Sequence, residues 1–255
     1  MLDNLNGKTA LVTGAAKRIG RAIALALAGK GANIIFNYRA SASEADATRH
    51  DLEALGVKAF ALQCDLTSID QCDLLVETAL REFGRVDILV NNASDFPRTP
   101  VAELAANRAL FEDLFQKQVA IHMKAPLYLG LRLGLQMKKN GWGRIVNMTD
   151  RVTVRSQAYS NWLLYLVTKY GLFGISQTLA EELRPEVTVN SIAPGLVIPP
   201  PEFGPEAIER LREKVPLQRQ VAPEEIASDV LHLVLSEAKT GSVILTDAGA
   251  GAHTY

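Results

Sequence analysis

Tyr165 and Lys169 lie four residues apart in YLVTK, within a stretch whose apolar residues recur every three to four positions. On a helix that spacing puts both side chains on one face. An ammonium beside a phenol favours phenolate, which predicts a Tyr165 pKa lowered from about 10 toward the range of a working proton donor. The same spacing also occurs on ordinary helix surfaces; Tyr159 and Tyr170 serve as controls, having no lysine four positions on. A second candidate is TGAAKRIG, residues 13–20, between a strand-like run and a helix-like run. Gly14 and Gly20 there let bare backbone approach a phosphate group, and the helix starting near Ile19 supplies unpaired N–H groups and its positive dipole end. Lys17 and Arg18 make this loop unusually basic.

A third candidate is NYRASAS, residues 37–43, at the end of the second strand-like run. In a dinucleotide site a carboxylate at this place suits the ribose 2′-hydroxyl, whereas a 2′-phosphate needs a cation. The run offers Asn37, Tyr38, Arg39 and Ser41, with no carboxylate until Glu44. A 2′-phosphate would meet Arg39, Ser41 and Arg18, so NADP(H) is favoured over NAD(H).

These groups must be positioned by seven aliphatic runs at 9–14, 33–38, 58–65, 86–93, 143–150, 187–195 and 242–249, separated by helix-like segments near 19–30, 42–55, 68–83, 101–138, 159–184 and 223–236. Nearly unbroken apolar strands alternating with helices predict a parallel sheet covered on both faces. The expected architecture is a single doubly wound α/β domain with its ligand at the carboxyl ends of the strands. PGLVIPPPEFGPE, 194–206, reads as a mobile loop within that domain, with a substrate loop extending to about 215.

Composition sets the outer bounds. The chain has 255 residues, 48% of them hydrophobic, and a net charge of −1, which argues against a nucleic-acid or anionic-membrane surface as the main partner. Two cysteines, no apolar run near 18 residues and no evident leader suggest a cytoplasmic, reducing setting, with both thiols as small buried hydrophobes. No metal is expected.

The chain resembles the short-chain dehydrogenase/reductase family over essentially its whole length, through TGAAKRIG, CDL (64–66), NNAS (91–94), YLVTK, VNSIAPG (189–195) and TGSVILTDAG (240–249). The resemblance implies a Rossmann-type domain with Tyr165 as proton donor and Lys169 lowering its pKa and holding the nicotinamide ribose. It further implies that Asp65 and Leu66 meet the adenine, that Asn91, Asn92, Ala93 and Ser94 line the inner ribose, and that Pro194, Gly195 and Val197 hold the carboxamide. A homotetramer is implied through the long helices.

Departures from the family pattern narrow the expected substrate. Arg18 replaces a loop glycine, Ser94 replaces the glycine of NNAG, and Asp150 in NMTD stands where a serine is usual. His122, in IHMKAP (121–126), takes the place of a helix asparagine that supports a proton relay. The Asp150 to Tyr165 connection is two residues longer than usual, so it must bulge if Asp150 is to reach the site. Four features, TGAAKR (13–18), NNAS followed by the aromatic Phe96, Asp150 in place of serine and PGL (194–196), are similar to the pteridine reductases and dihydromonapterin reductases. That likeness implies Phe96 stacked on a flat pterin, Ser94 bonded to its polar edge, Arg18 bridging pyrophosphate and substrate, and Asp150 orienting or recharging Tyr165. An ionised aspartate would repel a developing alkoxide, so Asp150 is either protonated or serves a substrate that develops less negative oxygen. A helix N-cap is the other reading of Asp150, loop packing that of Phe96, and simple helix packing that of His122. The alternative substrate class is a 3-oxoacyl thioester or other small ketone.

Overall fold

Strands that are apolar on both faces need cover above and below, and the helical segments between them supply it. The computed structural model describes residues 2–155, 158–198, 203–213 and 215–250. Its strands are β1 (Thr9–Val12), β2 (Asn33–Tyr38), β3 (Ala59–Gln63), β4 (Ile88–Asn91), β5 (Gly143–Met148), β6 (Val187–Pro194) and β7 (Val243–Thr246). They form one parallel sheet in the order β3-β2-β1-β4-β5-β6-β7, so the chain reverses direction across the sheet between β1 and β4. That switch leaves a crevice at the carboxyl ends of those two strands.

Side chains alternate between two apolar layers. Ala10 and Val12 of β1, Ile34 and Phe36 of β2 and Ile88 and Val90 of β4 face a cluster shared with Ile23, Leu27, Ile226 and Val230. Leu11, Ile35, Leu89, Ile145 and Val189 face the opposite cluster with Leu75, Val76, Leu129 and Leu179. Helices α1 (Arg18–Ala28) and α2 (Ala42–Glu53) follow the first two strands, and α3 (Ile69–Phe83) follows the third. Each fully buried Leu, Ile or Phe contributes about 1.5–3 kcal/mol of transfer free energy, enough to fix register at the strand ends where the chemistry lies.

The long helix expected over 101–138 is divided into α4 (Val101–Ala106), α5 (Arg108–Val119), a π turn (Ala120–Lys124) and α6 (Ala125–Lys139). Asn107 causes the first break, being extended at φ −133° and ψ 95° and capping α5 by accepting from the Leu110 N–H. The π turn precedes Pro126, which has no N–H for the carbonyl one turn back. Helix α7 runs Leu163–Glu182, so Tyr159 lies outside it, in the connection after β5 that begins with a 3-10 turn, Arg151–Thr153. The expected loop 194–215 contains a helix, α8 (Pro205–Glu213), whereas 199–202 and 214 lie outside the described residues. Helix α9 (Pro223–Leu235) packs against α1.

Candidate active site

Strand β5 delivers Asp150 and helix α7 delivers Tyr165 and Lys169 to one buried cluster, with exposures of 8%, 8% and 3%. The Tyr165 hydroxyl donates to Asp150 Oδ2 at 3.1 Å, and the Tyr159 hydroxyl donates to the same oxygen at 2.9 Å. The other oxygen, Oδ1, accepts from the Val152 N–H at 3.1 Å, so Asp150 caps the 3-10 turn and also reaches the site. After Asp150 the connection starts as that 3-10 turn, and Tyr170 fastens it by donating to the Val152 carbonyl at 2.8 Å; 156–157 lie outside the described residues.

One expectation is reversed. Tyr165 is not lowered by Lys169 in the bare protein; its phenol is held well above the usual range by burial, then by the Asp150 charge, Tyr159 and the hydrogen bond to Asp150. The reason is geometric, because Lys169 Nζ donates to the Met148 carbonyl at 2.7 Å and sits 5.4 Å from the Tyr165 ring centre, while Asp150 touches the hydroxyl. Burial brings Lys169 itself down to about 8, against the opposing pull of Asp150. Tyr159, a control in the sequence reading, is part of the site; its phenol is also raised, mainly by burial and the Asp150 charge.

The segment after β4 forms the other wall. A parallel bridge from Thr99 to Trp162, with the Thr99 N–H donating to the Asn161 carbonyl at 2.6 Å, ties this segment to the start of α7. Phe96 is thereby stacked on Trp162, with ring centres 5.1 Å apart and planes at 15°, and meets Tyr165 edge-on at 4.5 Å. Trp162 covers one face of Phe96, so a flat ligand has only the opposite face on which to stack. The indole N–H of Trp162 is buried without a partner among the described residues. Ser94 Oγ lies 2.8 Å from His122 Nε2, and His122 Nδ1 lies 2.9 Å from Thr168 Oγ1. His122 stands perpendicular to the Tyr165 ring, with no hydrogen bond to its hydroxyl. Burial and the Lys169 charge hold its pKa well below the usual imidazole value.

A dinucleotide fits the crevice at the sheet's switch point. A Cβ on Gly20 would lie 2.5 Å from the Gly14 carbonyl and 2.6 Å from Asn92 Nδ2, and one on Gly14, at φ +66°, would lie 3.0 Å from Ala93 Cα. The glycines thus hold the loop flat against the end of β4. No side chain caps the N-terminus of α1 and no acid lies in its first turn, so this end stays favourable to an anion. Arg18 adopts φ +57°, a conformation costing about 1 kcal/mol outside glycine, and its guanidinium donates to the Ile198 carbonyl at 3.0 Å. Lys17 is paired with Glu44 at 2.9 Å, whereas Arg39 has no ion pair among the described residues. Ser41 precedes α2 without capping it, and Tyr38 packs beside the core.

Several expected binding residues hold the crevice together. Asn37 accepts from the Gly14 N–H and donates to the Cys64 carbonyl, so both ends of its amide are engaged, whereas Asn91 donates to Asn147 and its buried Oδ1 has no partner among the described residues. Asn92 donates to the Thr13 and Gly14 carbonyls, and the Ala93 N–H donates to Thr13 Oγ1. Asp65 Oδ1 accepts from the Thr67 N–H beside buried Leu66, Gly195 lies against Asp247, and Val197 is buried behind Pro194. Burial pushes Cys64 to about 12 and Cys72 to about 11, leaving both thiols protonated and unreactive.

Known proteins place this geometry. A family model described as short chain dehydrogenase matches residues 8–201. The 3-oxoacyl-acyl-carrier-protein reductase FabG of Staphylococcus epidermidis is 31% identical, over 95% of this chain and 98% of its own. A blue fluorescent protein from a metagenomic library, solved with NADPH, aligns with a TM-score of 0.87 at 32% identity, over 97% of this chain and 99% of that one. FolM alternative dihydrofolate reductase 1 from Brucella canis, solved with NADP, gives 0.86 at 30% identity, over 98% and 97%. With the tyrosine and lysine of α7 beside a glycine-lined crevice, these matches make the chain an oxidoreductase of the short-chain dehydrogenase/reductase family.

Proposed function

We propose that this enzyme reduces a dihydropteridine of the biopterin or monapterin type with NADPH. The observation that carries the reading is the buried Asp150 carboxylate 3.1 Å from the Tyr165 hydroxyl. A carboxylate there repels the alkoxide that forms when a ketone is reduced. Reduction of a ring C=N bond ends in an N–H and develops no such oxyanion. Phe96 offers an aromatic surface to a flat heterocycle. The Brucella canis relative, an alternative dihydrofolate reductase, is consistent with this class.

NADPH, when bound, would supply hydride to the substrate carbon. Gly14, Arg18, Ile19 and Gly20 would hold its pyrophosphate, with Tyr38, Arg39 and Ser41 at the 2′-phosphate and Asp65 and Leu66 at the adenine. Asn92, Ala93, Ser94 and Lys169 would border the inner ribose, and Pro194, Gly195 and Val197 the carboxamide. Tyr165, protonated throughout the neutral range, gives its proton to the substrate nitrogen. Asp150, hydrogen-bonded to that hydroxyl and to Tyr159, aligns the donor and relays a proton from solvent to the spent Tyr165 phenolate. Arg18 and Ser94 would meet the substrate's polar edge. Exposed apolar side chains on α6 (Leu127, Leu131, Leu135) and α7 (Leu163, Val167, Tyr170) support self-association, for which the proposal is a homotetramer, and the net charge of −1 speaks against a nucleic-acid or anionic-membrane partner; the proposed setting is the cytoplasm.

A second reading, a 3-oxoacyl or small-ketone reductase, is favoured by the 31% identity to FabG. NADPH oxidation by the purified protein separates the two. Dihydrobiopterin or dihydromonapterin should accelerate it well above the substrate-free rate, whereas acceleration by a 3-oxoacyl thioester alone would replace the first reading with the second.

A further inference from the structure

The side chains linking the β4 loop to α7 leave no choice about where their protons lie. Thr168 Oγ1 is 2.8 Å from the Tyr165 carbonyl, and a carbonyl cannot donate, so the single hydroxyl proton of Thr168 is committed there. Thr168 must then accept at its 2.9 Å contact with His122, which puts a proton on Nδ1. At the other end of the ring, Nε2 faces the Asp95 N–H at 3.4 Å, a group that can only donate. Nε2 is therefore bare, and the Ser94 hydroxyl at 2.8 Å must donate to it. Both ends of the imidazole give the same tautomer independently. His122 is only 1% exposed, and the π turn of Ala120–Lys124 is the local departure from α-helix that carries it.

We infer that His122 is a positioning residue that fixes Ser94 as a pure hydrogen-bond acceptor, so that the site selects a ligand presenting an N–H at Ser94. A free serine hydroxyl turns to suit either a donor or an acceptor. Here its proton is held by Nε2 and only lone pairs remain for a ligand. A carbonyl or alkoxide oxygen at that place would face a lone pair, whereas an amine or lactam N–H would be bonded. The selection extends the reading of this crevice as a pteridine site by naming the group that Ser94 recognises.

The tautomer is read directly from imidazole nitrogen-15 spectra of the NADP+ complex, with His122 identified among the four histidines by its loss in His122→Gln. The expected spectrum is that of a neutral ring protonated at Nδ1 at pH 7; a ring protonated at Nε2, or at both nitrogens, overturns the inference whatever the substrate proves to be. In turnover of dihydrobiopterin, His122→Leu should raise KM about 5- to 10-fold, the effect of about one hydrogen bond, with the smaller part of the loss in kcat. His122→Gln, whose side-chain oxygen can accept from Ser94, should recover most of it. Equal KM values for the two variants overturn the inference. Absence of turnover with every dihydropteridine tested, together with the expected spectrum, would overturn the pteridine reading and keep the acceptor assignment.

Discussion

Replacing Asp150 by Asn separates the carboxylate's charge from its shape. Among the described residues Asp150 accepts three hydrogen bonds: from the Val152 N–H at 3.1 Å, from Tyr159 at 2.9 Å and from Tyr165 at 3.1 Å. An asparagine keeps Oδ1 for Val152 but places an amide NH2 against the two phenols, so two charge-assisted bonds become neutral ones with reversed direction. A charge-assisted bond contributes about 1.5–3 kcal/mol and a neutral one about 1, while relief of a buried charge offsets part of the difference. The net loss of stability should stay within about 2 kcal/mol, which denaturant unfolding measures and which leaves the protein folded. Catalysis should suffer more: Tyr165 loses its alignment and its route to recharging, and kcat for dihydropteridine reduction should fall by about 10²–10⁴. The charge that helps hold the Tyr165 phenol above its usual range also disappears, so the variant's tyrosines should begin to ionise at lower pH in an ultraviolet titration. A folded Asp150→Asn enzyme with kcat within twofold of the unmodified enzyme would refute the role given to the carboxylate.

Burial brings Lys169 to about 8, so its ammonium is present below that pH and lost above it. The kcat/KM of the enzyme should therefore fall about tenfold per unit on the alkaline side of 8, a limb absent from Lys169→Met. An unfolded lysine keeps its proton to about 10.4, so the unfolded state binds more protons between 8 and 10.4, and Lys169 should make unfolding free energy rise with pH there, measured against Lys169→Met. Arg39→Ala should raise KM for NADPH about 10- to 100-fold, the range of one charge-assisted bond, and leave KM for NADH nearly unchanged. Gly20→Ala puts a methyl 2.5 Å from the Gly14 carbonyl, so NADPH binding followed by fluorescence should be lost even where the circular dichroism of the fold persists.

The parts of the site legible in the sequence are those set by short-range geometry. Tyr165 and Lys169 share a helix face at four-residue spacing, and Gly14 and Gly20 bracket one turn, so both groups could be found without the fold. What spacing cannot give is which charge lies nearest a hydroxyl. Lys169 is one helical turn from Tyr165, yet Asp150, from the end of β5, touches its hydroxyl and adds to burial in raising its pKa. Tyr159 and Trp162 were missed because they reach the site through the irregular connection after β5; the only signal was its two extra residues. Thr168 was passed over as a neighbour of the two conspicuous residues, although its hydroxyl fixes the His122 ring. The division of 101–138 was hidden by continuous apolar periodicity, with Asn107 and Pro126 as its visible marks. Helix α8 was concealed by the prolines before it and by a strongly polar face.

The most direct test of the account is the ratio of kcat/KM for dihydrobiopterin to that for a 3-oxoacyl thioester, measured with NADPH in the unmodified enzyme and in Asp150→Ser. The account predicts a ratio well above one that falls at least tenfold in the variant, because a neutral hydroxyl no longer repels a developing alkoxide. An unmodified enzyme that prefers the thioester, with a ratio that the serine leaves in place, would contradict it.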